Sequence, residues 1–399
     1  MKLITQEALK PYEAKLIAYR RHLHQYPELS FEEFETSQFI AKEMSKLQHA
    51  EILPLTKTSL LVKFRSGKPG PKIGLRADID ALPIHEERID CDFISKNPGK
   101  MHACGHDAHT AILMAACHYF NDHFEELTGE VWAVFQHAEE LLPGGAREIV
   151  ALGVLDELDF MYGHHLWSML PTGVIDLKIG AVTANTDIYK AKIIGKGGHS
   201  SEPQNCIDPV LIASQIVCRL QSIVSRQLAP LEAGVISNTY IRAGNPLGLN
   251  VIPEYAEIGG SVRSTTPEAR ALFKRQIERI ITSSCADFDA SCEIDYTIGY
   301  GITKNDADKT EVVKKIAEMI GEAKVIADPP YLCGEDFSAY SDILPTTFAF
   351  IGAGNQKKGY IYPHHHPQFG LDEDSFIYGL QMFINVVYNF SDENSKLKI

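Results

Sequence analysis

The order of strand-like and helix-like segments most restricts the fold of this chain, because one α/β pattern is interrupted by a block with another order. In the first part, the pattern predicts a helix around residues 14–46, a strand at 72–77, a helix at 108–119 and a strand at 130–136. Such alternation is typical of a mainly parallel sheet covered by helices. Between residues 186 and 300 the predicted order becomes β-α-β-β-α-β, which is typical of a ferredoxin-like α+β domain.

The α/β pattern then resumes, with a predicted helix at 310–320, a strand at 347–351 and a last helix from 374 to 388. The sequence therefore predicts a discontinuous α/β domain, formed by residues 1–184 and 302–399, and an inserted α+β domain at 185–301. A length of 399 residues is sufficient for two domains of this kind.

Charge and composition argue against several classes of partner. The formal net charge is −14, whereas binding to nucleic acid needs clustered Lys and Arg. The longest apolar run near the first motif, residues 111–117, is far shorter than the roughly 20 residues that span a membrane. The N-terminus has no apolar core of a signal peptide, and the eight cysteines include no CxxC pair, so we expect reduced thiols and a cytoplasmic protein.

A metal site is the best interpretation of the segment MHACGHDAHT, residues 101–110. Cys104 and His106 stand in a loop that leads into a helix capped by Asp107, and from a loop both side chains can reach one ion. Further clusters are Glu139-Glu140, His164-His165 and the run at residues 364–366. A mixed supply of Cys, His and Glu suits Zn²⁺, Mn²⁺, Co²⁺ or Ni²⁺ better than Mg²⁺ or Ca²⁺.

Several of these residues follow predicted strands. Asp78, the Glu139-Glu140 pair and His165 each come directly after an apolar segment, and sites in α/β sheets form outside the carboxyl ends of the strands. One of two adjacent carboxylates can coordinate a metal while the other moves a proton. Asp78 either caps a turn or orients a histidine ligand.

The inserted domain contributes candidates for substrate contact. His199 follows two glycines, where the backbone can come close to a ligand; a phosphate-binding loop is a weaker interpretation, because the GxxxxGK[ST] arrangement is lacking. Arg263 suits recognition of a carboxylate, with Asn250 thirteen residues before it, although a surface ion pair is the ordinary explanation of a lone Arg.

Taken together, these motifs resemble the metal-dependent aminoacylase and carboxypeptidase family (peptidase family M20), in its amidohydrolase subgroup. That subgroup includes hippurate hydrolases, N-acetyl-diaminopimelate deacetylases and hydrolases of indole-acetyl amino acids. The resemblance extends nearly from end to end, through RRHLHQYPELSFEE, GLRADIDALPI, MHACGHDAH, AEE with GGAREIV, GHHLW, GKGGHSS, NVIPEYAEIGGSVRS, GEDFSAY and HHHPQF. It implies a dinuclear-metal exopeptidase-like catalytic domain with an inserted dimerisation or lid domain.

The resemblance also implies roles for individual residues. Glu139 would be the general base and acid, and Asp78 would support a ligand. His199 would reach the active site of the partner subunit in a homodimer, and Asn250 and Arg263 would grip the carboxylate of the substrate. Two divalent metal ions would be held by five residues, namely Cys104, His106, Glu140, His165 and His365.

Two of those ligands have neighbours as alternatives. His165 is preferred to His164 because the family has one His before an apolar residue and Trp, here Leu166-Trp167, and His365 is preferred to its neighbours because it stands two residues before Pro367.

The sequence departs from the family at two positions. His137 precedes AEE where the family commonly has Pro. Gln204 follows Pro203 where the family commonly has His, which removes one histidine that could contact substrate.

The chemistry predicted from these residues is hydrolysis of the amide bond of an N-acyl amino acid, or a related conjugate, by a metal-activated water. One alternative is a dipeptidase of the same family, which would need a carboxylate partner for the N-terminal amine. A second is a non-catalytic metal-binding relative, although the intact Glu139 argues against it.

Overall fold

The computed structural model describes residues 3–89 and 91–390. Residues 1–2, 90 and 391–399, which include both ends of the predicted catalytic domain, lie outside the described residues. The chain forms two compact units. The first contains the residues up to Val182, Thr303–Pro329 and the chain from Asp336 onward, and the second contains Thr183–Ile302 and Pro330–Glu335.

Strands and helices alternate along the chain. The strands are β1 Glu51–Pro54, β2 Leu60–Arg65, β3 Lys72–Asp78, β4 Glu130–Gln136, β5 Phe160–Pro171, β6 Val174–Asp176, β7 Gly180–Ala181, β8 Asp187–Ile194, β9 Gly198–His199, β10 Gly234–Ala243, β11 Val251–Ile252, β12 Tyr255–Ser264, β13 Ser291–Thr297, β14 Lys304–Asn305, β15 Lys324–Ile326 and β16 Thr346–Gly354. The α-helices are α1 Gln6–Gln25, α2 Phe34–Met44, α3 His106–Asp122, α4 Gly145–Ala151, α5 Pro209–Arg226, α6 Pro267–Ala286, α7 Ala307–Met319, α8 Ser338–Ser341 and α9 Phe376–Asn389.

The first unit is built around an eight-stranded sheet of order β1-β2-β4-β3-β5-β16-β6-β15. Its central strands run parallel, β3 with β4 and β5, and β16 with β5. Every residue of β4 after the first is buried, as expected for a strand covered on both faces. The carboxyl ends of β3, β4, β5 and β16 therefore meet at one edge of the sheet.

Helix α3 lies in the core of this unit. All its residues from His106 to Phe120 are buried, and it contacts α1, α9 and the central strands. A helix that is buried on nearly all sides is typical of the core of a large domain. Among residues 3–89 and 91–390, no helix is long and apolar enough to cross a membrane.

The single helix predicted around residues 14–46 is wrong, because the structure has two helices there, α1 and α2. The chain between them contains Pro27 and reverses at Phe31, which has a φ of 68°. The apolar residues have helical periodicity on both sides of this break, so the pattern alone predicts one continuous helix.

The second unit has the predicted β-α-β-β-α-β order, formed by β8, α5, β10, β12, α6 and β13, and the ferredoxin-like prediction is confirmed. Its antiparallel sheet has the order β10-β12-β8-β13. The side chains of Ile216 from α5 and Phe273 from α6 pack on this sheet around Tyr189. Asp208 and Thr266 cap the two helices by accepting from backbone N–H groups of the first turn, an arrangement that stabilises helix ends.

The boundaries between the units lie one or two residues from those that the sequence predicts, and one further segment belongs to the second unit. The sequence predicts breaks at 184/185 and 301/302, and the structure places them between Val182 and Thr183 and between Ile302 and Thr303. In addition, Pro330–Glu335 belongs to the second unit, where the carbonyl of Cys333 accepts the N–H of Ala184 at 3.1 Å. A contact over this sequence distance has no local signature.

A hydrogen-bonded chain between α1 and α3 predicts how stability depends on pH. Lys15 Nζ lies 3.3 Å from His118 Nδ1, the hydroxyl of Tyr19 lies 2.9 Å from His118 Nε2, and the same hydroxyl donates to Glu43. Burial, with Lys15, lowers the pKa of His118 to about 4. Because folding favours the neutral ring, its contribution is fully present above the ordinary histidine pKa of about 6.5 and is lost as the pH falls to 4.

The free energy of unfolding of the wild type should fall between pH 6.5 and 4, and we expect His118→Gln to remove up to about 2 kcal/mol of that fall. Partial hydration of the ring keeps this effect below the value that full burial would give. Urea unfolding of the metal-free protein at several pH values measures this. His123→Gln is the control, since His123 is 35% exposed, and the same slope in the wild type and in His118→Gln would contradict the prediction.

Candidate metal centre

The carboxyl ends of three neighbouring strands carry the predicted site. Asp78 is the last residue of β3, Glu139 and Glu140 follow β4, and His165 lies within β5. Since these strands are adjacent and parallel, the side chains converge at one edge of the sheet, as expected for an α/β protein.

The side chains of Cys104, His106 and His165 lie close together at the N-terminus of α3. Cys104 Sγ lies 3.4 Å from His165 Nε2, and the other ring nitrogen of His165 donates to the carbonyl of Leu166 at 2.8 Å. Gly105, between Cys104 and His106, has a φ of 95°, and a Cβ there would lie 2.9 Å from Leu371. The glycine therefore allows the sharp turn that brings both flanking side chains to the same place.

Glu140 and His365 complete the group. His365 Nε2 lies 3.3 Å from Glu140 Oε1, and His106 Nε2 lies 3.9 Å from the same oxygen. The backbone of His365 has a φ of 66°, and its N–H donates to the carbonyl of Ala103 at 2.8 Å. This bond ties the His365 loop to the segment that carries Cys104.

The five predicted ligands thus form overlapping groups whose ligand atoms lie within 4.8 Å of one another. Two buried atoms among them, His106 Nε2 and Glu140 Oε1, lack a hydrogen-bond partner, although buried polar atoms are normally satisfied. A thiolate, three imidazoles and a carboxylate suit a transition metal. The residues present therefore fit bound metal ions.

The charges around the ligands also favour a cation. Burial lowers the pKa of His106, but the carboxylates of Asp78, Asp80 and Glu140 outweigh burial and raise it to about 10. Burial, with Glu140 and Glu139, raises the pKa of Cys104 well above its usual value. A bound divalent ion would replace these protons, because imidazole and thiol bind metals only when deprotonated.

His165 and His365 each place Nε2 within 3.4 Å of another predicted ligand, and the ring of His364 lies 5.1 Å from that of His165. His164 packs on Phe383 with ring centroids 4.2 Å apart. His364 accepts the N–H of Ser168 at 3.2 Å, and His366 stacks on Tyr362.

Glu139 lies next to the ligand group and is 7% exposed. Its Oε1 accepts the N–H of Asp336 at 3.3 Å, and it lies within 4.8 Å of ligand atoms of His106 and Glu140. A buried carboxylate at this distance from a metal can exchange protons with a water held there.

Two aspartates at the carboxyl end of β3, Asp78 within the strand and Asp80 just after it, contact the histidines. Asp78 Oδ1 accepts from His109 Nδ1 at 2.7 Å, and Asp78 Oδ2 lies 3.6 Å from His106 Nε2. The other nitrogen of His106 lies 3.0 Å from the carbonyl and 3.2 Å from Oδ1 of Asp80. Asp80 therefore orients His106, whereas Asp78 holds His109, which in turn accepts the N–H of Leu166.

We expect Asp80→Asn to weaken metal affinity by about 10- to 100-fold, because a ligand loses the carboxylate that fixes its ring. Competition with a chromogenic chelator measures the affinity. Ser30→Ala is the matched control, since the hydroxyl of Ser30 donates to the other oxygen of Asp80 at 2.7 Å. Equal affinities of the two variants would contradict the orienting role.

Sequence reasoning missed a buried ion network beneath the site. Arg76 donates to Asp78 at 2.7 Å, to Asp336 at 2.8 Å and to Gln136 at 2.8 Å. The arginine is 1% exposed, and it offsets part of the negative charge of the site. Arg76 stands in the motif RADID and Asp336 in the motif GEDF. No local pattern links these two residues, because they are 260 positions apart.

The other three predicted residues lie in the second unit. His199 is in β9, which pairs with β11, and the N–H of Ser200 donates to the carbonyl of Asn250 at 3.0 Å, so His199 and Asn250 are neighbours. His199 Nδ1 accepts the N–H of Ser201 at 3.2 Å, which leaves the ring proton on Nε2. Arg263 lies on β12, where burial lowers the pKa of its guanidinium, and it donates to the carbonyl of Val262.

Proteins of known family match most of this chain. Residues 74–389 match the family described as "Peptidase family M20/M25/M40". The chain is 44% identical over 285 residues to an N-acyl-L-amino acid amidohydrolase of Geobacillus stearothermophilus, covering 71% of this chain and 76% of the relative. It is 38% identical to an N-acetylcysteine deacetylase of Bacillus subtilis, covering 94% and 96% of the two chains.

A solved structure gives the same result. A dinuclear metal-binding peptidase of this family from Bacillus subtilis superposes with a TM-score of 0.83 at 33% identity, covering 95% of this chain and 98% of that one. These relatives show that the chain is a metal-dependent amidohydrolase, as the sequence predicts. The chain belongs to peptidase family M20/M25/M40.

Proposed function

We propose that this enzyme hydrolyses the amide bond of N-acyl amino acids, with Cys104, His106, Glu140, His165 and His365 as ligands of two divalent ions. The observation that carries the proposal is the convergence of these five ligands beside Glu139, a buried carboxylate within 4.8 Å of ligand atoms of His106 and Glu140. The proposed ions are Zn²⁺, Mn²⁺, Co²⁺ or Ni²⁺, since mixed sulfur, nitrogen and oxygen ligands tolerate several of these metals.

Glu139 is the proton carrier in this proposal. When bound, the ions would lower the pKa of a water and polarise the scissile carbonyl. Glu139 takes the proton from that water and returns it to the leaving nitrogen. The N–H of Asp336, which donates to Glu139 Oε1 at 3.3 Å, orients the carboxylate.

Three residues of the second unit are proposed to bind substrate. The ring proton of His199 on Nε2 supports donation to the developing oxyanion. Arg263 and Asn250 are proposed to bind the α-carboxylate, which a guanidinium recognises well. The names of the two curated relatives support an N-acyl amino acid as substrate, N-acetylcysteine in one of them.

The second unit is proposed to form a homodimer, with the partner subunit's His199 completing each site. A cytoplasmic location stays a prediction from the sequence.

The substrate is tested with protein reconstituted with each of the four metals. The panel contains N-acetyl, N-benzoyl and indole-acetyl amino acids, N-acetyl-diaminopimelate and dipeptides, and each N-acyl amino acid is paired with its carboxamide as a matched control. We expect turnover of at least one N-acyl amino acid and much weaker turnover of the carboxamide. Turnover of dipeptides alone would identify a dipeptidase, and silence across the panel with two metals bound would identify a non-catalytic binder.

The dimer is tested by mixing two inactive variants, His199→Ala and Glu139→Gln, under conditions that exchange subunits. If His199 acts across the dimer, statistical mixing restores about one quarter of wild-type activity, because half of the dimers are mixed and each of those has one complete site. If His199 acts within its own subunit, mixed dimers have no complete site and activity is not restored.

A further inference from the structure

The turn that carries Glu139 and Glu140 begins with a residue in an unfavourable conformation. Ala138 has a φ of 48°, in the left-handed region that residues with a Cβ rarely adopt. Such a conformation persists only where the surroundings fix it. Glu139 therefore depends on whatever holds Ala138.

Glu33 holds that residue from a distant part of the chain. Its Oε1 accepts the N–H of Ala138 at 2.8 Å, across 105 positions of sequence, and the N–H of Phe31 at 2.9 Å. Phe31 also has a positive φ, 68°. One carboxylate oxygen thus binds the N–H groups of two left-handed residues and ties their turns together.

The remaining contacts of Glu33 make it rigid. Its Oε2 accepts the hydroxyl of Thr58 at 2.9 Å, and the side chain is fully buried. Ala138 is held on its other side as well, because its carbonyl accepts the N–H of Gly145 at 3.0 Å. The peptide on each side of the strained residue is therefore fixed by a hydrogen bond, to Glu33 on one side and to Gly145 on the other.

The rest of the turn shows why this matters for Glu139. The N–H of Glu140 donates to Asp80 at 3.0 Å, and Glu139 Oε1 accepts the N–H of Asp336 at 3.3 Å. These bonds align the two glutamates only while Ala138 keeps its left-handed conformation, since a change of its φ would rotate the following residues away from both partners.

We propose that Glu33 is a positioning residue for Glu139, which acts by fixing the left-handed conformation of Ala138. The inference rests on the proposed role of Glu139 as the base. Glu33 bonds to the backbone before Glu139 and to Thr58, and it is not among the proposed metal ligands. Loss of its acceptor should therefore lower kcat without changing KM or metal content.

The test compares Glu33→Met, which removes the acceptor while keeping volume, with Glu33→Gln, which keeps one carbonyl oxygen for the two N–H groups. We expect Glu33→Met to lower kcat by about 10- to 100-fold, as displaced catalytic groups do, with two metals bound and KM within about threefold. Glu33→Gln should retain most of the wild-type kcat. Thr58→Val is the matched control, because it removes a bond to Glu33 and leaves Ala138 bonded.

A second change separates positioning from loss of stability. Glycine adopts positive φ without strain, so Ala138→Gly added to Glu33→Met should recover several-fold of the lost kcat. A kcat of Glu33→Met equal to that of the wild type or of Thr58→Val, or no recovery in the double variant, would overturn the proposal.

The variant Glu139→Gln, assayed on the same substrate, keeps the two hypotheses apart. If Glu139→Gln retains turnover, the proposed base is wrong whatever Glu33 does. If Glu139→Gln is inactive and Glu33→Met is unimpaired, only the positioning role fails.

Discussion

Glu139→Gln is expected to lower kcat by about 10²- to 10⁴-fold, the range that a positioned general base contributes. The amide keeps the size of the carboxylate but cannot take a proton from water. Because Glu139 is not among the proposed ligands, both metals should stay bound and KM should change little. Steady-state kinetics on the best substrate, with metal content measured on the same sample, tests this.

Glu148→Gln is the matched control for that variant. Glu148 lies in α4, shortly after Glu139 in the sequence. Its side chain is 53% exposed and 3.1 Å from His137, and we expect it to be dispensable for turnover. Turnover of Glu139→Gln within about tenfold of the wild type would assign the proton transfer to another group. Loss of metal from Glu139→Gln would instead make Glu139 a ligand.

His365→Gln is expected to weaken metal binding by at least about 100-fold at one of the two sites, since loss of a direct ligand exceeds the 10- to 100-fold cost of losing a supporting residue. Activity should fall with occupancy. Isothermal titration calorimetry of the metal-free protein with Zn²⁺ or Mn²⁺ gives the number of sites and their affinities.

His366→Gln is the control, because His366 is the next residue and its ring stacks on Tyr362 with centroids 4.5 Å apart. This variant should bind two metals. Loss of a metal from His366→Gln and not from His365→Gln would move the ligand by one residue, and two intact sites in both variants would remove this segment from the metal centre.

The sequence predicted those parts of the fold that have local causes. Alternation of apolar segments and turn residues predicted the parallel sheet and the inserted β-α-β-β-α-β block, because periodicity reflects which face of each element is buried. The same reasoning failed between α1 and α2, where contacts with distant residues hold the break, including the hydrogen bond from the N–H of Ala81 to the carbonyl of Glu28.

For the candidate site, the sequence predicted which residues could take part better than it predicted which of them contact one another. Cys104, His106 and Glu140 stand in dense motifs whose residue types have few other uses together, and the ends of the parallel strands predicted where they would meet. Asp78, expected either to cap a turn or to orient a histidine ligand, accepts from His109 at 2.7 Å and lies 3.6 Å from the predicted ligand His106.

Residue types and their spacing were enough to predict the family, the order of the domains and the candidate metal ligands. The groups that hold those ligands in place became visible in the folded chain: Asp80 behind His106, Arg76 with Asp336, and Glu33 at Ala138. The physical reason is range: motifs and periodicity depend on neighbours in sequence, whereas these bonds join residues 26, 260 and 105 positions apart and form only when the sheet and helices have packed.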